Sequence, residues 1–404
     1  MKIVDLEKVV QKLIDKPINK TLVSLVSYMS GNGTGKAKFI KALRNKRICS
    51  YQSKLLKKYL KHPKKYLTLE IDKLDFTVSY NRKATKFIKA ITCKSKGLLQ
   101  VSPSLQPFIT VEAVRLDAIN KACHKDQKNR PHYILKFEVR VKGKPEAVLS
   151  IHLADGSKSD YKGLRFSFNP RHFSALELAA VFSHIYKVLG AVEYNNVMAK
   201  ARVTRVDVAV NLPGISSVFL LFMPPHGNSQ HSTCYPETEG AICETLYIGP
   251  FPKDDDFDRT RKSKYRIYCW LLNKLKSGCE LNISEHTVAA RLEYELNCWD
   301  NQRGLMLTNL NDALVKLDCL QIIDPLDFHH IPEKWHRELL VNKSISNIRK
   351  RLSPIKKKLN KHNGFNLLAL NSRWTAQEQA KALTELKCIL TAPKSMFKEL
   401  SDEA

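Results

Sequence analysis

The chain predicts an α+β fold: a mainly antiparallel sheet core with helices packed on it, flanked by basic helical regions at both ends. Three observations lead there. Several runs alternate apolar and polar residues with a period of two. A helix with clear start and stop signals falls between two of those runs. The text at both ends turns helical in spacing and strongly basic.

The 404 residues suffice for one large domain with appendages, and 43% hydrophobic residues can bury a core. Against 39 acids stand 67 Lys and Arg, a net charge of +28. Such an excess attracts polyanions, so nucleic acid or an anionic membrane surface is the expected partner, and an excess larger than solubility needs favours nucleic acid. No segment approaches the ~18 apolar residues of a membrane span. The run SVFLLFM at 217–223 stops at Pro224-Pro225. The amphipathic N-terminus lacks a signal-peptide cleavage site, and the ten cysteines form no CxxC pair. Both features suggest reduced thiols and a cytoplasmic location.

Residues 1–65 carry about seventeen Lys and Arg against about three acids, with Leu6, Val9, Val10 and Leu13 at helical spacing. From residue 66 the period becomes two. LDFTVSY sets Leu74, Phe76, Val78 and Tyr80 on one face; YILKFEVRVKG alternates from Tyr133 to Val141; GLRFSFNP repeats the pattern with Leu164, Phe166 and Phe168. A helix follows, with a capping-box pair Ser174 and Glu177, an apolar stripe Leu178, Val181, Phe182, Ile185 and Leu189, and a stop at Gly190. Further strands are expected at 203–211, 244–249, 264–271 and 287–297, with a Pro/Gly/Ser-rich loop at 224–240. Beyond about 325 the chain reads as basic helix, including TAQEQAKALTELKCIL. The expected layout is a basic helical region 1–65, an α+β domain 66–325 and a basic helical region 326–404.

Two motif-like stretches do not carry chemistry. SGNGTGKA at 30–37 has Ser30 and Ala37 where a phosphate-binding P-loop needs Gly and Ser or Thr. His226, His231, Cys234 and Cys243 are competent zinc ligands, but their spacing matches no common zinc module. The run Asp254-Asp255-Asp256 reads as solvated loop.

The stronger constellation lies on three strands. In ARVTRVDVAVN, residues 201–211, alternation groups Arg205, Asp207 and Asn211 against the valines. In ARLEYEL it groups Arg291, Glu293 and Glu295; in KYRIYCW it groups Lys264, Arg266 and Tyr268, with Tyr265 and Ile267 opposite. A carboxylate in a core strand is costly unless it has a partner, a metal or a job. If the strands are neighbours, carboxylates, a tyrosine and cations share one surface. Carboxylates could hold Mg²⁺ or Mn²⁺, cations could stabilise transition-state charge, and tyrosine could attack a phosphodiester.

The order VTRVDVAVN, ETLYIG, KYRIYCWLLNK, ARLEYELN resembles rolling-circle replication initiators, in particular the filamentous-phage replication endonuclease of gene II type and related plasmid initiation factors. The resemblance covers about residues 66–300 and rests on short motifs in a fixed order. It implies a nuclease core that nicks one strand at the origin of a circular replicon, links to it through phosphotyrosine and rejoins it after a round of displacement. By matching positions, Asp207 and Glu293 would be acidic metal ligands, with Glu295 beside them, and Tyr268 the nucleophile. Lys274 and Arg266 would assist it, and Arg205, Lys264 and Arg291 would contact DNA. The family lysine two positions beyond the tyrosine is Trp270 here, which leaves Tyr265 as a second candidate nucleophile, and no His-hydrophobe-His motif is present because His329 and His330 are adjacent. The implied setting is the cytoplasm of a bacterial host, with a host helicase as a possible further partner. Alternative readings are a conjugative relaxase with the same chemistry and a non-catalytic DNA-binding regulator.

Overall fold

A computed structural model describes residues 45–79, 95–115, 133–154, 163–215, 217, 220–223, 231–234, 245–249, 263–269, 289–298, 304–313, 315–330 and 366–402. The chain divides into two compact units, each discontinuous in sequence. The first takes Glu70–Val208, Leu296–Leu314 and Glu378–Ala404; the second takes Met1–Leu69, Ala209–Glu295 and Val315–Gln377. Helices and mostly antiparallel strands make both, an α+β architecture.

The first unit is built on strands β1 (Leu69–Ser79), β2 (Ile109–Arg115), β3 (Tyr133–Val141), β4 (Val148–Ala154), β5 (Gly163–Phe168) and the start of β6 (Arg202–Pro213). Their order is β2-β3-β4-β5-β1-β6. Registers align one apolar row, Phe76, Phe166, Ile151, Phe137 and Ala113, across five strands. The next positions on each strand belong to the opposite face. There Asp75, Ser167, Ser150, Glu138 and Glu112 form one row, and Thr77, Arg165, His152 and Lys136 lie in the next. Strands β2 and β4 add to those the sequence pattern singled out.

The apolar face is covered by the helix Ala175–Leu189, which begins and ends as its sequence predicts. Ser174 Oγ accepts from Glu177 N at 3.2 Å while Glu177 Oε2 accepts from Ser174 N at 2.7 Å. Gly190 closes the helix at φ 82°, a conformation that side chains resist. Its stripe is buried, and Phe182 meets Phe168 at 5.5 Å between ring centres. Phe76 stacks on Phe166 at 4.7 Å. Full burial of each such side chain contributes roughly 1.5–3 kcal/mol. A second helix, Ala191–Lys200, follows directly, and Pro393–Asp402 packs against Ala175–Leu189 through the Ser183 Oγ to Pro393 carbonyl bond at 3.0 Å.

The second unit holds the end of β6 with β11 (Ala289–Asn297), β10 (Lys264–Cys269), β9 (Thr245–Gly249) and β8 (His231–Cys234), in the order β6-β11-β10-β9-β8. A smaller three-stranded sheet joins β7 (Leu221–Met223), Gln321–Ile323 and Leu367–Leu368. The basic helix Lys46–Lys61 docks on this unit by its polar-apolar stripe. Tyr59 donates to the Pro213 carbonyl at 2.6 Å, Gln52 to the Gly214 carbonyl at 3.0 Å, and Lys57 pairs with the buried Asp324 at 2.5 Å. Lys54, Lys58, Lys61, Lys64 and Lys65 remain exposed.

TAQEQAKALTELKCIL lies inside the helix Ser372–Thr391, as its spacing predicts. His329 and His330 sit in the 3₁₀ turn Pro325–His330 rather than in an extended segment. Residues 1–44 and 331–365, the P-loop-like stretch, His226, Cys243 and Asp254–Asp256 lie outside the described residues, while His231 and Cys234 open and close β8. Cys49, Cys298, Cys319 and Cys388 are thiols, not disulfides. No single helix among the described residues is long and apolar enough to cross a membrane.

Candidate active site

Strands β10 and β11 are antiparallel neighbours. Their register sets Lys264 opposite Glu295, Arg266 opposite Glu293 and Tyr268 opposite Arg291. Period-two alternation therefore places three cations, two carboxylates and one phenol on one face. Each acid faces a cation across the strand gap, the arrangement that lowers the cost of burying charge in a sheet. The opposite face carries Tyr265, Ile267 and Leu292, all buried.

Glu293 and Arg291 are fully buried, Tyr268 is 5% exposed, and Glu295 is also buried. The Arg266 guanidinium grips Glu293 with two donors: Nε reaches Oε2 at 3.2 Å and Nη2 donates to Oε1. Tyr268 Oη donates to the same Oε2 at 3.3 Å. The Arg266 guanidinium carbon also stands 5.4 Å from the centre of the Tyr268 ring, in cation–π range. Lys264 pairs with Glu295 at 3.6 Å, and Arg291 donates to Asn211 Oδ1 at 2.8 Å. The result is a phenol–carboxylate–guanidinium triad whose members are fixed by strand pairing rather than by loops.

The two tyrosines of β10 are in unlike settings. Tyr265 Oη donates to the Lys316 carbonyl at 2.8 Å, and its ring lies 4.7 Å from that of Tyr294. Burial raises its pKa far above the ordinary phenol value, with Tyr294 adding to the effect. Tyr268 instead shares its face with a carboxylate and cations. Trp270 and Lys274 lie outside the described residues.

Asp207 belongs to the first unit. It is 1% exposed and held by Arg205 from two positions along the same strand, Nε to Oδ1 at 2.7 Å and Nη2 to Oδ2 at 2.5 Å. The acid in the middle of β6 thus has an ionic partner on its own face.

Around it the polar sheet face forms a larger network that pattern reading did not single out. Asp75, 2% exposed, is paired with Arg165 at 2.5 Å and Lys73 at 3.7 Å. Burial alone would raise the Asp75 pKa; Arg165 and Lys73 outweigh it and hold the carboxyl below its usual value. Burial pushes the Lys73 ammonium down, opposed by Asp75 and reinforced by Arg205 and Arg165. Burial also pushes Tyr133 up to about 12 and His152 down to about 4, with Arg165 and Lys136 adding to the histidine shift. The signal available was alternation itself: Asp75 and Arg165 occupy the off-face positions of LDFTVSY and GLRFSFNP.

Glu293, Glu295 and Asp207 are hard oxygen donors of the kind Mg²⁺ and Mn²⁺ prefer. Yet both Glu293 oxygens are engaged by Arg266 and Tyr268, and Glu295 by Lys264. Among the described residues no group of three or more His, Cys, Asp or Glu is arranged to hold a metal ion.

No family model matches the chain, and no curated protein matches it.

Proposed function

We propose that the chain is a rolling-circle replication initiator that nicks one DNA strand and rejoins it through Tyr268. The observation that carries this reading is the Tyr268–Glu293–Arg266 triad on β10 and β11, with the phenol 3.3 Å from a carboxylate that a guanidinium also holds. A phenol of ordinary pKa about 10 is a weak nucleophile at neutral pH, so it needs a base and a cation beside it. The triad supplies both.

In this scheme Tyr268 Oη passes its proton to Glu293 and attacks the phosphorus of a phosphodiester. The Oη–P bond forms as the bond from phosphorus to the 3′ sugar oxygen breaks. That oxygen takes the proton now held by Glu293 and leaves as a 3′ hydroxyl, which restores the carboxylate, while the 5′ phosphate stays on the tyrosine. The reverse attack by a 3′ hydroxyl reseals the strand and returns the phenol. Arg266 offsets the charge gathered on the phosphoryl oxygens, and Lys264 and Arg291 add to the positive field on the same face. No step is routed through a metal ion. A conjugative relaxase would run the same chemistry on a different origin.

The opposite placement of Tyr265, whose hydroxyl is committed to a backbone carbonyl, favours Tyr268 as the nucleophile. Supercoiled DNA carrying the cognate origin tests the reading, incubated with the protein and Mg²⁺ or Mn²⁺. Wild type and Tyr265→Phe are both expected to convert it to open circles. Intact supercoils with both proteins, at concentrations where origin binding is saturated, would contradict it. Two observations favour a second reading, a DNA-binding regulator without cleavage: Tyr268 is only 5% exposed, and Glu293 and Asp207 are each closed by an arginine.

A further inference from the structure

The first unit contains a cavity of about 610 Å³ between the helices Ala175–Leu189, Ala191–Lys200 and Pro393–Asp402. That is within the size range of small-molecule sites. Its walls include Tyr186, Pro393 and Phe397, and its rim carries Lys187, Lys394 and Lys398. Among the described residues no acidic side chain joins the lining. We propose that this cavity binds a nucleoside phosphate, its base against the Tyr186 and Phe397 surfaces and its phosphate among the three lysines.

The walls are set from behind. The Tyr186 ring leans on Tyr194 at 5.2 Å, and Phe397 meets Phe108 edge-on at 5.7 Å. Tyr194 Oη donates to the Leu390 carbonyl at 2.5 Å and Ser183 Oγ to the Pro393 carbonyl at 3.0 Å, which ties the last two helices to the walls. A cavity held in this way loses little entropy on binding.

The charge points to the ligand. Lys187 Nζ donates to Ser102 Oγ and Ser104 Oγ at 3.2 Å each; these neutral hydroxyls hold the ammonium in place without cancelling its charge. Lys394 and Lys398 lie one helical turn apart, so they present two further ammonium groups on one side of the cavity. Three cations without an acid suit a phosphate better than a single carboxylate. Flat aromatic walls suit a base better than an alkyl chain. Asn195 and Ser395, also in the lining, offer hydrogen-bonding groups to base edges or sugar hydroxyls. This site shares no residue with the Tyr268 face, and the proposal stands whether or not Tyr268 cuts DNA.

The test titrates the full-length protein with a fluorescent methylanthraniloyl derivative of adenosine monophosphate. Unlabelled adenosine monophosphate, adenosine and a 5′-phosphorylated single-stranded oligonucleotide serve as competitors. Saturable binding is expected, displaced by the monophosphate and not by adenosine. The Lys394→Ala/Lys398→Ala double variant should bind roughly tenfold more weakly, as loss of two exposed charge contacts implies. Lys187→Ala, on a different helix, should weaken binding as well. Stronger displacement by the oligonucleotide would assign the site to a strand end, and stronger displacement by the mononucleotide to a free nucleotide. No saturable binding by the wild type, equal displacement by adenosine, or unchanged affinity in variants that melt like the wild type would each overturn the proposal.

Discussion

Replacing His152 by glutamine should flatten the acid side of the protein's stability curve. On the polar face of the first unit, burial moves the His152 pKa from 6.5 to about 4. Arg165, Lys136 and Lys73 repel the imidazolium, and Asp75 attracts it. A histidine whose folded pKa is depressed binds fewer protons folded than unfolded. Its neutral form therefore stabilises the fold above about pH 6.5, and that contribution is lost as the pH falls towards 4. Between about pH 7 and about pH 5 the ring alone accounts for about 2 kcal/mol, within a full span of about 3 kcal/mol. Glutamine cannot titrate, and its loss of the edge-on contact with Tyr133 is the same at both pH values. Urea denaturation at the two pH values measures the difference. Wild type should lose about 2 kcal/mol more than His152→Gln over that interval. His184, whose pKa burial also lowers, leaves a residual slope in the variant. Equal losses in the two proteins would refute the reasoning.

Ser174→Ala removes one half of the capping box at the start of the helix Ala175–Leu189 and should cost about 1 kcal/mol, seen as a lower urea midpoint with unchanged slope. Glu293→Gln keeps the shape of the triad but removes the ionic pairing between Glu293 and Arg266. It should cost about 1–3 kcal/mol in urea unfolding, because Arg266 is partly exposed, and abolish strand cleavage under conditions where the variant is folded. DNA affinity should fall steeply with added salt, since a chain of net charge +28 releases counterions from the phosphates it neutralises; a filter-binding series over salt concentration reads the slope.

Much of the β10–β11 face was legible because a strand's period is two. KYRIYCW and ARLEYEL sort their own side chains, and strand pairing then sets Arg266 against Glu293. The helix at Ala175 was legible for a similar local reason: its cap, stripe and terminal glycine are all written within seventeen residues, from Ser174 to Gly190. Asp75 shows what was not legible. Its alternation marks it as facing away from Phe76, but whether that face is wet or buried depends on what covers it. At 2% exposure, with Arg165 supplied from a strand ninety residues later, that answer is tertiary. The partner of Asp207 was in plain view as Arg205, yet a same-strand pair two residues apart carries no signature that separates it from other charges on the face. The division of the chain into discontinuous units is likewise invisible to a reading that moves from one end to the other.

The most direct test of the central claim is the covalent intermediate. Wild type and Tyr268→Phe are each incubated with end-labelled single-stranded origin DNA and a divalent cation, then denatured and digested. The bound nucleotide is mapped by mass spectrometry. The account predicts a phosphotyrosine adduct on the peptide holding Tyr268 and none with the phenylalanine variant. An adduct on Tyr265, or one that survives Tyr268→Phe, would contradict it.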